Sequence, residues 1–268
     1  MNNIRKLTLG ERALLSLAKP EGASAGGATV SYSIDNCLDF PRFTIPGFEG
    51  LIHGKVVLDH GCGPGWQSVA MRTKCGAARV FGLDIVPEWF EHGAALARQH
   101  GCAGQVSFGP AIPPDLKEAF DIVLSLSAFE HYADPAAELQ RMRSHLKPGG
   151  FILLAFAEPW YSPYGSHFSG YTRIPGTGVP VPWLNLLFSD RALLTLRERF
   201  RPDHPGELEN ISGGLNRLSV ARFERIVASS GMRVEQMRLF AVKRLPLVTQ
   251  IPVLRELFTS AASCVLYR

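Results

Sequence analysis

The sequence predicts an α/β protein built on a doubly wound, mostly parallel sheet. Three observations carry this expectation. Short apolar runs alternate with helical stretches between residues 55 and 157. The first such run ends in an acid followed by a glycine cluster, DHGCGPG. Apolar residues make up 46% of the 268 and charged residues 19%, enough for a full core without disulfide or metal staples.

The elements follow in chain order. Residues 1–50 are a lead-in, with one amphipathic helix over 7–19 and a Gly/Ala-rich linker, PEGASAGGAT, at 20–29. Pro41, Pro46 and Gly47 punctuate the remainder, and the segment suits either a lid or a frayed terminus. Residues 56–58 (VVL) read as a buried parallel strand. A helix over 66–74 is closed by Gly76, and 79–83 (RVFGL) form the second strand, ending at Asp84. Pro87 opens a helix that runs to residue 100, with Gly101 just past its end. Residues 105–108 and 121–127 are the third and fourth strands. Asp134 suits the cap and Pro135 the first position of a helix to residue 147. The turn Lys147-Pro148-Gly149-Gly150 then leads into a fifth strand over 151–156.

Residues 158–188 break this rhythm with five prolines and many aromatics. The stretch is too long for a plain connection and too aromatic for a disordered one. A helix over 190–200, a loop over 202–214 and a helix over 219–230, ended by Gly231, come next. Residues 234–242 and 260–267 read as two final strands, separated by a Pro-interrupted stretch.

Charge and cysteine content narrow the setting. The formal net charge is +4, from 28 basic and 24 acidic residues spread along the chain, which gives no nucleic-acid footprint. Five cysteines without a CxxC pair read as reduced thiols in the cytoplasm. The early apolar run at 13–18 is too short and interrupted for a secretory core. No stretch reaches the roughly eighteen apolar residues that a membrane-spanning helix needs. The eight histidines show no metal-binding spacing, so no metal site is expected.

The chemistry sits in VVLDHGCGPG, between a strand and a helix, where open α/β sheets bind ligands. Glycines at 61, 63 and 65 let the backbone approach a ligand that a Cβ would strike. Asp59 can accept from an ammonium group and would repel a pyrophosphate. Asp84, ending the second strand, can accept from both ribose hydroxyls of a nucleoside. The alternatives are that Asp59 caps a helix and that Asp84 starts a turn.

The run LDHGCGPG resembles motif I of the class I S-adenosylmethionine-dependent methyltransferases, E/D-x-G-x-G-x-G. GLDIVPEWF resembles that family's second motif. FDIVLSLSAFEHYADPAAELQRMRSHLKPGGFILLAF resembles its strand-four to strand-five segment, and SVARFERIVASSGMRVEQMRLF its last helix and sixth strand. The resemblance implies a Rossmann-like, doubly wound seven-stranded sheet, mostly parallel with one antiparallel strand, and helices on both faces. Residues 260–267 would supply the antiparallel strand, between the fifth and sixth. It implies a lead-in or lid at 1–50 and a methyltransferase domain at 51–268, with an insertion at about 158–190. It also implies S-adenosyl-L-methionine as cofactor, held by Asp59, Gly61, Cys62, Gly63, Gly65, Asp84, Ile85 and Ser127. One departure concerns adenine: many members carry an acid after the third strand, whereas this chain has none until Asp115.

Methyl transfer from a sulfonium depends mainly on alignment, with a base added when the nucleophile is a hydroxyl. His131, after the fourth strand, and His167, in the insertion, are the candidate catalytic bases. For His131 the rival role is a brace for the following segment. His167, Tyr161, Tyr164 and Tyr171 suit the lining of a pocket for a small-molecule acceptor, or else a loop packed on the domain. Two other functions stay open: a nicotinamide-dependent oxidoreductase, and a nucleoside-binding protein without catalysis. The first needs G-x-G-x-x-G where this chain has GCGPGWQ.

Overall fold

The computed structural model describes residues 7–18, 33–168, 172–174, 177, 179–200, 215–242 and 246–268. The linker at 20–29, the loop at 202–214 and Tyr171 lie outside the described residues. The first elements are α1 (Leu9–Leu17), α2 (Asp39–Thr44), α3 (Phe48–Ile52), β1 (Val56–His60), α4 (Trp66–Thr73), β2 (Arg79–Leu83), α5 (Pro87–Gln99) and β3 (Val106–Gly109). Next come β4 (Phe120–Leu126), α6 (Pro135–His145), β5 (Leu146–Ala157), α7 (Leu184–Leu187) and α8 (Asp190–Phe200). The last are α9 (Val220–Ala228), β6 (Arg233–Ala241), α10 (Pro252–Phe258) and β7 (Thr259–Tyr267).

These elements gather into two compact units. One comprises described residues of 32–157, 222–239 and 261–268, and the other those of 1–31, 158–221 and 240–260. The seven strands form a single sheet in the order β3-β2-β1-β4-β5-β7-β6. The pairs β1–β2, β1–β4, β2–β3 and β4–β5 are parallel, and β5–β7 is antiparallel.

Strand alternation divides the sheet's two faces. Val57, Val80, Ile122, Leu124 and Leu153 share a core with Val69 and Met71 of α4, Leu96 of α5, and Leu38, Phe48 and Ile52 around α2 and α3. On the other face Phe156 of β5 packs on Phe129 and on Phe223 of α9. Helix α6 joins α9 on that side through Gln140 and Arg143, which both donate to the Ser230 carbonyl. Asp134 caps α6 by accepting from the amides of Ala136 and Ala137.

Three expectations are corrected. Residues 33–52 contain two short helices whose apolar side chains are core, where the prolines suggested only punctuation. Strand β5 begins at Leu146, so Lys147–Gly150 is no separate turn. The register jumps from Phe120↔Leu146 to Ile122↔Phe151, and the extra residues bulge out of the ladder. The Pro-interrupted stretch holds α10, whose Pro252 occupies the first turn, where a missing N–H costs nothing.

The second unit has its own core. Leu14 and Leu15 of α1 pack with Trp160, Phe168, Leu184, Leu193 and Leu196. Buried Glu11 completes a capping box with Thr8 and also accepts from the amide of Ser189, the residue before α8. Among the described residues, no helix is long and apolar enough to cross a membrane.

Candidate functional site

Strand β1 carries Asp59 and His60 to the carboxyl edge of the sheet, and the chain then bends through Gly61–Gly65 into α4. Asp59 lies opposite Gly82 of β2 and Leu124 of β4, so the ends of three strands meet at this bend. Gly61, Gly63 and Gly65 have φ of 79°, 51° and 86°, a region that costs other residues about 1–2 kcal/mol each.

The three glycines are required for different reasons. A Cβ on Gly61 would lie 2.7 Å from Ala128 Cβ and 2.8 Å from the Tyr132 hydroxyl. A Cβ on Gly65 would lie 2.7 Å from the Phe108 ring. On Gly63 the nearest atom is in the Trp89 ring, at 3.9 Å. Two glycines therefore make room for the protein itself, and Gly63 alone of the three borders open space. Phe108 also stands 2.5 Å from a Cβ on Gly82 and 2.8 Å from one on Gly93. One aromatic ring of β3 thus fills the space left by three glycines.

The bend's amides are spent within the protein. Gly61 and Cys62 donate to the Leu83 carbonyl at 2.8 and 3.1 Å, and Gly65 to the Cys62 carbonyl at 3.1 Å. Gly63 donates to Asp84 Oδ2 at 2.8 Å. Asp84 Oδ1 accepts from the amides of Ile85 (2.7 Å) and Val86 (3.2 Å). A carboxylate offers about four acceptor positions, so Asp84 both starts the turn and keeps room for a further donor.

Asp59 is 1% exposed. Its Oδ2 accepts from the Ser68 hydroxyl at 2.5 Å, whereas Oδ1 is buried without a hydrogen-bond partner. Burial raises its pKa to about 7, opposed by the Ser68 bond and reinforced by the Asp84 charge. A buried carboxylate oxygen of this kind is costly until it gains a proton or a cationic neighbour. Cys62 is buried, and burial, then the charges of Asp59 and Asp84, push its thiol pKa up. The thiol stays protonated and unreactive.

The remaining sequence-predicted residues fall as follows. Ile85 is 90% exposed at the end of β2. Ser127 is exposed at the end of β4, with φ of 50° and its amide on the Ala155 carbonyl. His131 closes the single turn Phe129–His131, whose buried Phe129 anchors it, and its amide donates to the Ala128 carbonyl. His167 belongs to the second unit, where Nε2 stands 4.0 Å from Glu158 Oε2. Burial raises the Glu158 pKa to about 7. Asp115 pairs with Arg79 at 3.4 Å, at the opposite end of β2 from Asp84. Tyr132, Phe108 and Trp89 crowd the bend but escaped sequence reasoning. The unexplained Gly82 and Gly93 were the available signal for Phe108.

A family described as a methyltransferase domain matches residues 57–150, which run from β1 to the bulge in β5. Residues 57–150 carry a methyltransferase domain, on the fold of the class I S-adenosylmethionine-dependent methyltransferases. A methyltransferase structure from Mesorhizobium loti covers 88% of this chain and 100% of its own, with a TM-score of 0.54 at 20% identity, a likeness of fold. A tRNA U34 carboxymethyltransferase of Alteromonas mediterranea is 34% identical over 38% of this chain and 32% of its own length. A ubiquinone biosynthesis O-methyltransferase of a Shewanella strain is 36% identical over 40% of this chain and 45% of its own. The chain thus spans less than half the length of these curated relatives, and their names give different acceptors. Among the described residues of the methyltransferase domain and the second unit, no group of three or more His, Cys, Asp or Glu could hold a metal.

Proposed function

We propose that this chain is an S-adenosylmethionine-dependent methyltransferase that methylates a hydroxyl oxygen of a small-molecule acceptor. The observation that carries the proposal is the chemistry of the bend: its own amides are used internally, and two carboxylates remain beside it. A pyrophosphate needs N–H donors, which disfavours a dinucleotide. A ligand with an amino group and sugar hydroxyls suits the orphaned Asp59 Oδ1, the Asp84 carboxylate and the open space at Gly63.

Asp59 would hold the amino group, Asp84 a ribose hydroxyl, and Ile85 apolar surface of the base. Gly61, Cys62, Gly63, Gly65 and Ser127 would shape the cradle. When bound, S-adenosylmethionine supplies a methyl group on a positive sulfur, open to in-line displacement. The chain's own part is to orient the acceptor and take its hydroxyl proton, with His131 or His167 as base in the neutral form. We assign acceptor recognition to the insertion at about 158–190, where Tyr161 and Tyr164 accompany His167. The relative named for O-methylation supports oxygen as nucleophile. The modest charge of +4 supports a small molecule over a nucleic acid.

Calorimetry with S-adenosylhomocysteine and with NADH, followed by transfer of labelled methyl to a panel of phenols, quinols, sugars and tRNA, tests this reading. Heat with the first ligand and label on a small hydroxyl acceptor is the expected result. Binding without transfer to any acceptor identifies a non-catalytic nucleoside binder, label on tRNA overturns the small-molecule assignment, and heat with NADH alone overturns the proposal.

A further inference from the structure

The phenol of Tyr132 lies partly buried beside Gly61 of the bend, in the same compact unit. Its hydroxyl donates to the main-chain carbonyl of His60 at 2.9 Å, one residue before Gly61. The phenol oxygen also lies within hydrogen-bond distance of the Ser125 hydroxyl of β4 (3.0 Å) and of His60 Nδ1 (3.0 Å). Burial lowers the His60 pKa to about 3, so the ring is neutral. Its Nε2 stands 3.5 Å from Glu138 Oε2 of α6. The two rings meet edge to face, 5.5 Å between centroids. The same hydroxyl occupies the space that a Gly61 side chain would need.

We infer that Tyr132 is a positioning residue for donor binding, its hydroxyl fixing the His60 carbonyl and through it the Gly61–Gly63 bend. The geometry gives that hydroxyl a specific lever. Leu83 holds the Gly61 and Cys62 amides from the β2 side, and Asp84 holds the Gly63 amide. The Tyr132 bond ties the preceding carbonyl from the β4 side, so the bend is gripped from both neighbouring strands. Its loss would leave the peptide joining His60 to Gly61 held from the β2 side alone, by the Gly61 amide on the Leu83 carbonyl. The group it displaces would be Gly63, the glycine that borders open space. This inference rests on the proposal that the donor binds at the bend.

The test uses the whole chain, S-adenosylhomocysteine as probe, and Tyr132→Phe, which removes only the hydroxyl. Calorimetry should show about a tenfold loss of affinity, the equivalent of one net hydrogen bond. Without ligand, the amide resonances of Gly61, Cys62 and Gly63 should shift. Val106→Ala, a core truncation in β3, controls for stability alone. It should lower Tm comparably while holding affinity within about twofold and leaving those resonances in place. Affinity of Tyr132→Phe within about twofold of wild type overturns the inference, as does an equal loss in Val106→Ala. No heat from wild type removes the donor site itself, whereas equal heat from wild type and Tyr132→Phe removes only the positioning role.

Discussion

Gly63 donates its amide to Asp84 Oδ2 at 2.8 Å, so the acid that ends β2 holds the middle of the bend that follows β1. Asp84→Ala removes this anchor together with any bond to a ligand hydroxyl. Affinity for S-adenosylhomocysteine should fall by about 1–3 kcal/mol by calorimetry. Asp84→Asn should do little better where its amide nitrogen faces the Gly63 N–H. Full affinity in the alanine variant would rule out the ribose role.

The glycines should separate folding from binding. Gly65→Ala drives a Cβ into the Phe108 ring at a φ of 86° and should cost about 1–3 kcal/mol of stability. Phe108→Leu in the same chain should recover part of that loss, a coupling that a double-mutant cycle measures. Gly63→Ala meets only the Trp89 ring at 3.9 Å and should stay folded with about 1 kcal/mol of strain, yet bind the donor product poorly. Normal affinity in that variant would place the ligand elsewhere.

Donor binding should depend on pH through Asp59. Burial raises this carboxyl to about 7, and an ammonium group pairs only with its ionised form. Below pH 7 binding must expel a proton, so affinity should fall, approaching tenfold per pH unit, and level off above pH 7. Asp59→Asn should abolish the slope. A flat profile in wild type between pH 5.5 and 8 would exclude direct pairing.

In the second unit, Glu11 accepts from Thr8 and Ser189 at the starts of two helices, and the Ser189 hydroxyl bond leads in lowering its pKa to about 2. A depressed carboxylate pKa stabilises the fold above the unfolded value near 4.5, and this contribution fades as pH falls toward 2. Glu11→Gln should therefore lower Tm at pH 6, with the difference from wild type shrinking below about pH 4. A constant difference across that range would mean the charge is irrelevant there.

Much of the sheet unit was legible because local signals agreed with tertiary ones. Apolar runs at 79–83 and 121–127 became β2 and β4, and Asp134-Pro135 capped α6 as its chemistry demands. Helices α2 and α3 were not legible, because five or six residues are too few to show a period. Pro252 at the start of α10 carried the same signal as Pro87 and Pro135, but the neighbouring Pro246 made the stretch look broken. The glycine bend and its two acids were visible as a pattern. Their division of labour was not, since it depends on Phe108 of β3 and on Ala128 and Tyr132 in the segment after β4. Left-handed backbone at Ser127, Glu158 and His167 has no sequence signal at all, because none is a glycine.

The strand order has a consequence for biosynthesis. β7 is made after β6 yet lies between it and β5, with Phe151↔Tyr267 through Ala157↔Ala261 joining the two neighbours. As the polypeptide emerges, β5 keeps an open, apolar flank and β6 has nothing to pair with until the intervening segment appears. An unprotected flank of this sort invites pairing with other chains. Nascent chains halted between residues 242 and 259 should therefore be the species most dependent on chaperones.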